Sequence, residues 1–187
     1  SRPAVHDDFV RFQEVLEDGH EALAALGIEE KGSKKYPSER RVMRAIDWGT
    51  AHVVTVPERS GEEEAAGERI IGVFVDPRGD EAYGRSSGAD WLTESPDPPD
   101  GEASYAALHW VCVASEARRR GVGMFILGEA ERLAKAAGKR SLRCDVYEGN
   151  GPMRALLMEY GFSSCGTIAL RDRLGRERRR DAFERLW

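Results

Sequence analysis

The sequence predicts an α/β fold of the α+β kind, a single domain over residues 1–187 with a mixed central β-sheet and helices on both faces. Three observations predict it. Two helical patterns come first and a pair of strands follows. A strand then runs through a glycine-containing turn into a helix and on into another strand, a β-α-β unit. Two further strands close the chain.

Residues 5–26 read as an amphipathic helix, with Val5, Phe9, Phe12, Leu16, Leu23 and Leu26 on one stripe and Gly27 as its stop. Pro37-Ser38-Glu39 opens a second helix that turns Val42, Met43 and Ile46 inward and ends at Gly49. Strands follow at 51–56 and 69–76, joined like a hairpin by a polar loop containing Ser60-Gly61-Glu62-Glu63-Glu64. Residues 77–104 are rich in Pro, Gly, Asp and Ser, with Tyr83, Trp91 and Leu92 as apolar anchors. So long a connection is usually functional or disordered. The β-α-β unit takes strand 105–113, helix 121–137 and strand 141–147, and its crossover makes the two strands parallel and right-handed. A short helix at 151–160 and strands at 162–171 and 178–186 complete the reading.

Composition narrows the function. Apolar residues make up 41% and charged residues 33%, as in soluble globular chains. No apolar run is long enough to span a bilayer, and the polar start carries no signal peptide. The net charge of −5 argues against a nucleic-acid partner, with Arg176–Arg180 read as a solvated turn. Cys112, Cys144 and Cys165 form no CxxC and no metal-ligand spacing, so they read as free thiols in a reducing cytoplasm, and no metal is expected.

The strand-turn-helix at 105–137 carries the chemistry. A helix start leaves backbone N–H groups unpaired and bears a positive partial charge, so it suits a phosphate. In Arg118-Arg119-Arg120-Gly121-Val122-Gly123 the glycines let the backbone approach an anion and the arginines add positive charge. The spacing is neither a Rossmann fingerprint nor a P-loop.

This turn resembles the Q/R-x-x-G-x-G/A signature of the GNAT superfamily of N-acetyltransferases, with Arg118, Gly121 and Gly123 at its three positions and Val113 ending the strand before it. Asn150-Gly151-Pro152-Met153, Leu156 and Gly161-Phe162 match a second family segment. Arg2-Pro3-Ala4 to Asp8 looks like the end of the family's first strand. Further similarity, to small bacterial members, lies in Tyr36-Pro37-Ser38-Glu39, His109-Trp110, the run 145–153 and the run 161–168.

The resemblance implies a cytoplasmic, acetyl-CoA-dependent N-acetyltransferase. The pantetheine arm would pair with the backbone of Val111, Cys112 and Val113 where two parallel strands splay. The pyrophosphate would sit on the amides of Arg118, Arg119, Arg120, Gly121, Val122, Gly123 and Met124, and Asn150 would bond the cofactor or cap a helix. Transfer needs a base of pKa near 7, and His109 is the candidate, expected on the same strand face as Val111 and Val113. The family's thiolate acid is a Tyr seven residues after the Asn; here that position is Leu157, leaving Tyr160 one helical turn away, or Tyr147. Cys112 as an acyl carrier competes with a plain buried cysteine.

Residues 76–102 hold eight acids against two bases, a net of −6 against −5 for the whole chain. Acids draw cations, and Tyr83 and Trp91 offer ring faces to an ammonium, so the expected acceptor is a small cationic amine held by Tyr83, Trp91, Asp145 and Tyr147. Two alternatives stand beside it: a non-catalytic acyl-CoA-binding module and a protein N-terminal acetyltransferase. A homodimer through the terminal strands is an expectation by analogy.

Overall fold

The computed structural model describes residues 1–28, 37–58, 67–76, 83, 88–93, 103–171 and 177–187. Tyr36, the loop at 59–66, Arg176 and most of 77–104, Glu94 included, lie outside the described residues. The fold is α+β, and the chain divides into two compact units.

The first unit is Ser1–Val75 with Trp110–Ile126. Its sheet runs in the order β1 (Arg2–Pro3), β2 (Ala51–Glu58), β3 (Gly67–Val75) and β5 (His109–Val113). β1 pairs antiparallel with β2, Arg2 opposite Val53. β2 and β3 form the expected hairpin, from Ala51 opposite Val75 to Glu58 opposite Gly67, with a bulge between Val54 and Thr55. Val53, Val73 and Phe74 are fully buried, and Phe74 stacks on His52 with ring centroids 4.9 Å apart.

The helix expected over 5–26 begins later, as α1 (Phe9–Ala25), after a tight 3-10 turn at His6–Asp8. Arg2 causes this. Its guanidinium donates to both Asp8 oxygens at 2.7 and 3.0 Å, and Asp8 Oδ2 also accepts Val5 N–H at 2.8 Å. Burial opposes the charge on Asp8, but these bonds outweigh it and hold its carboxyl below the usual range. Val5, ahead of the helix, and Leu26, just past its end, are exposed, while Phe12, Val15 and Leu16 are buried. α2 (Glu39–Asp47) buries Val42 and Ile46, as its pattern predicts.

The second unit is Asp76–His109 with Leu127–Trp187. Its mixed sheet has the order β4 (Tyr105–Ala107), β6 (Ser141–Tyr147), β8 (Glu177–Leu186), β7 (Ser163–Arg171). β4 and β6 are parallel, and β8 is antiparallel to both of its neighbours. α3 (Val122–Ala136) enters this unit at Leu127, and α4 (Gly151–Tyr160) lies wholly within it.

The single strand expected over 105–113 is two strands. β4 stops at Ala107, and Leu108 N–H still bonds Arg143 O at 2.8 Å. Trp110 then takes a left-handed φ of 53°, and the chain joins the other sheet as β5. Among the described residues, the central sheet expected from the sequence is thus two four-stranded sheets.

The core of the second unit contains an ion pair. Arg143 and Glu184 have fully buried side chains 3.0 Å apart. Thr93 and Ser141 hydroxyls and the amides of Leu92 and Thr93 also donate to Glu184, while Arg143 donates to Thr93 O. Every charge there has partners, which makes such burial tolerable.

Candidate active site

The glycine turn belongs to the first unit. Ala114 N–H bonds Ile71 O at 2.9 Å, and a 3-10 turn at Ser115–Ala117 leads into Arg118. Arg119 at φ 58° and Gly121 at φ 81° are left-handed, and α3 starts one residue later. For Arg119 this is an uncommon backbone state, of the kind concentrated at ligand sites. Phe125 N–H bonds Gly121 O at 3.0 Å, so the amides of Val122, Gly123 and Met124 fall in the first turn of α3, where a helix has no carbonyl of its own to offer them. A side chain at Gly121 would meet nothing within 4 Å, so the space before the turn is open. The turn fits a phosphate.

Arg118 departs from the role of a mobile phosphate ligand. Its guanidinium donates inward to Asp18 O at 2.5 Å and Val113 O at 3.4 Å. Asp18 Oδ2 accepts Ser115 N–H at 2.9 Å, so α1 braces the turn at two points. Arg119 and Arg120 are exposed and remain as the cations at the open side.

Val111, Cys112 and Val113 lie half-buried on β5, an end strand of its sheet. Burial pushes the Cys112 thiol up to about 12. A thiol so reluctant to ionise is a poor acyl carrier. Cys112 Sγ instead packs on Gly19 of α1, where an added Cβ would lie only 2.5 Å away.

The second unit holds the other candidates. His109 faces Tyr83, with ring centroids 5.7 Å apart. The left-handed Trp110 interrupts strand alternation, so the shared face expected for His109, Val111 and Val113 does not follow. Asp76, which directly follows β3, lies close enough to His109 for the two groups to interact electrostatically.

Tyr83, Trp91, Asp145 and Tyr147 do assemble. Tyr83 OH donates to Asp145 Oδ1 at 2.7 Å, and Trp91 Nε1–H donates to Tyr83 O at 3.2 Å. Arg180 pairs with Asp145 at 3.2 Å and lies over the Tyr147 ring. Yet Tyr83 is buried in the core, and the Trp91 ring carries Arg143 at 4.4 Å. The aromatic faces expected to hold an ammonium are occupied by the protein's own arginines or buried.

Asn150 caps α4, its Oδ1 accepting Met153 N–H at 3.2 Å. Leu157, at the usual acid position, is fully buried. Tyr160 OH donates to Glu131 Oε2 at 2.9 Å. Burial first and this bond second push its hydroxyl up to about 12. Arg185 and Lys135 donate to the same carboxylate at 2.8 and 2.6 Å. These bonds outweigh burial and hold Glu131 at about 2.

Sequence reading missed Asp76, Glu131, Arg143 and Glu184 as interior groups. Only Arg143 left a signal, a charge among the apolar residues of 141–147. Among the described residues no group of three His, Cys, Asp or Glu is arranged for a metal, and no helix is long and apolar enough to cross a membrane.

The chain is similar to known proteins in sequence and in fold. Residues 64–162 match the family model described as Acetyltransferase (GNAT) family. A GNAT-family acetyltransferase from Streptococcus agalactiae 2603 shares the fold with a TM-score of 0.73 and 21% identity, over 100% of this chain and 94% of that one. A ribosomal-protein-alanine N-acetyltransferase from Brucella melitensis aligns with a TM-score of 0.61 and 19% identity, over 100% and 98% of the two chains. The structure of yncA from Salmonella typhimurium with its cofactor acetyl-CoA aligns with a TM-score of 0.61 and 15% identity, over 99% and 91%. No curated protein matches the chain.

Proposed function

The chain belongs to the GNAT acetyltransferase family, and from that premise we propose that it transfers an acetyl group from acetyl-CoA to a primary amine by direct attack in a ternary complex. The observation that carries this reading is the turn from Arg119 to Met124, with its left-handed residues, open approach and unpaired helix-start amides. In it the pyrophosphate takes the amides of Gly121, Val122, Gly123 and Met124, with Arg119 and Arg120 beside it. The β5 edge at Val111–Val113 takes the pantetheine amides. Arg118 acts as a brace and Asn150 as a helix cap. His109 is the base. Tyr160 has its proton engaged by Glu131, so the thiolate takes its proton from water. The acetyl thioester supplies the activated acyl group.

The acidity of 76–102 supports a small cationic acceptor. The test is release of free thiol from acetyl-CoA against panels of small amines, polyamines and peptides, at low and high salt. Turnover on cationic amines that falls with ionic strength supports the reading. Turnover on peptides alone would make the protein an N-terminal acetyltransferase.

A second reading, an acyl-CoA-binding module without turnover, draws on Leu157 at the acid position and on the Tyr160–Glu131 bond. Tight acetyl-CoA binding by calorimetry with no thiol release across every panel would select it.

A further inference from the structure

We propose that Asp76 is the positioning carboxylate of an Asp76–His109 pair, holding the charge that His109 acquires when it takes the acceptor's proton. The inference rests on the acetyltransferase reading above.

Asp76 follows β3 directly and is partly buried. Its Oδ1 is buried and has no hydrogen-bond partner among the described residues. Leaving such an oxygen unsatisfied is costly, so a carboxylate kept there needs a reason. The groups acting on it are two nitrogen bases, His109 and Lys139. Lys139 is itself buried and donates to Ala103 O at 2.9 Å, which anchors its ammonium. Tyr83 packs against the His109 ring, and its hydroxyl is tied to Asp145, so that wall is fixed.

Burial pushes the Asp76 carboxyl up to about 7, against the pull of His109 and Lys139. Its charge is therefore poorly stabilised while His109 is neutral and better stabilised once His109 is an imidazolium. Coupling between two such groups is reciprocal, so each can be read through the other. Chemically, His109 accepts a proton from the acceptor's ammonium, and the N–H electron pair stays on nitrogen. That pair attacks the thioester carbonyl carbon, and the C–S bond breaks with its pair going to sulfur. The second amine proton leaves as the amide forms and reaches the thiolate through water. One proton remains on His109, opposite Asp76, until solvent takes it.

The test is reciprocal titration by NMR of the whole chain. Asp76→Asn should lower the proton affinity of His109 about tenfold, one pKa unit, with the resonance assigned by His109→Asn. His109→Asn should in turn raise the pKa of the Asp76 carboxyl carbon signal. Kinetically, Asp76→Asn should lower kcat roughly 10²-fold and displace the pH profile without altering the Kd for acetyl-CoA, and Asp76→Glu should restore part of the rate. Unchanged titration of each group in the other's variant overturns the inference, whatever the activity. If the wild type releases no thiol with any amine, the acetyltransferase reading fails separately, and the titrations still decide whether the pair is coupled. Should Asp76→Asn not fold, the carboxyl titration in His109→Asn decides alone.

Discussion

Tyr160 OH and Arg185 Nε converge on one oxygen of Glu131, at 2.9 and 2.8 Å. The phenol thereby serves a structural knot between α3, α4 and β8. Tyr160→Phe should change kcat less than about threefold and cost ~1 kcal/mol of stability. A loss of kcat near 10²-fold with normal stability would instead make Tyr160 the thiolate acid.

Glu131 gives the fold an acid limb. Its folded pKa is about 2, against an ordinary value of 4.5. A depressed pKa means stability that is complete above 4.5 and lost as pH falls towards 2. Urea unfolding across that window should show the loss in the wild type and a flatter profile in Glu131→Gln. At pH 7 the variant should be less stable by roughly 1–3 kcal/mol, because Lys135 and Arg185 are half-exposed and partly screened.

Gly19 and Cys112 should behave as a coupled pair. Alanine normally stabilises a helix interior by ~0.5–1 kcal/mol relative to glycine. At Gly19 the new methyl would collide with Cys112 Sγ, so Gly19→Ala should destabilise by roughly 1–3 kcal/mol. Adding Cys112→Ala should recover much of that loss. Additive effects in the double-mutant cycle would mean that the contact is not what forbids a side chain.

The arginines of the turn should separate by function. Arg118→Ala removes a brace between α1 and the turn and should lower Tm. Arg120→Ala should leave Tm alone and weaken acetyl-CoA about 3–10-fold, less at high salt. Replacing Gly121 and Gly123 together by valine should raise the calorimetric Kd at least ~10-fold. Unaltered affinity in that double variant would remove the anion site from the turn.

The legible parts of the chain were those governed by local pattern. Helix α2, the β2–β3 hairpin, strand β6 and helix α4 follow from periodicity, Pro and Gly placement, and Asn150 as a cap. The turn was legible because glycine spacing is itself the device. The break at Trp110 was not, since a left-handed tryptophan in an apolar strand has no compositional mark and depends on sheet membership. The late start of α1 depended on Arg2 reaching Asp8, a tertiary contact. The same limit hid Arg118: its charge suggested a ligand, and only Asp18 O shows where the guanidinium points.

The placement of β8 bears on synthesis. It lies between β6 and β7, although both precede it in the chain. Until residues 177–186 have been translated and have cleared the ribosome, β6 lacks a partner on one side and β7 has none in the sheet. Arg143 meanwhile has no Glu184 to neutralise it. A chain that stops short of residue 177 therefore exposes sheet edges open to mispairing, and the second unit closes only once β8 is in place.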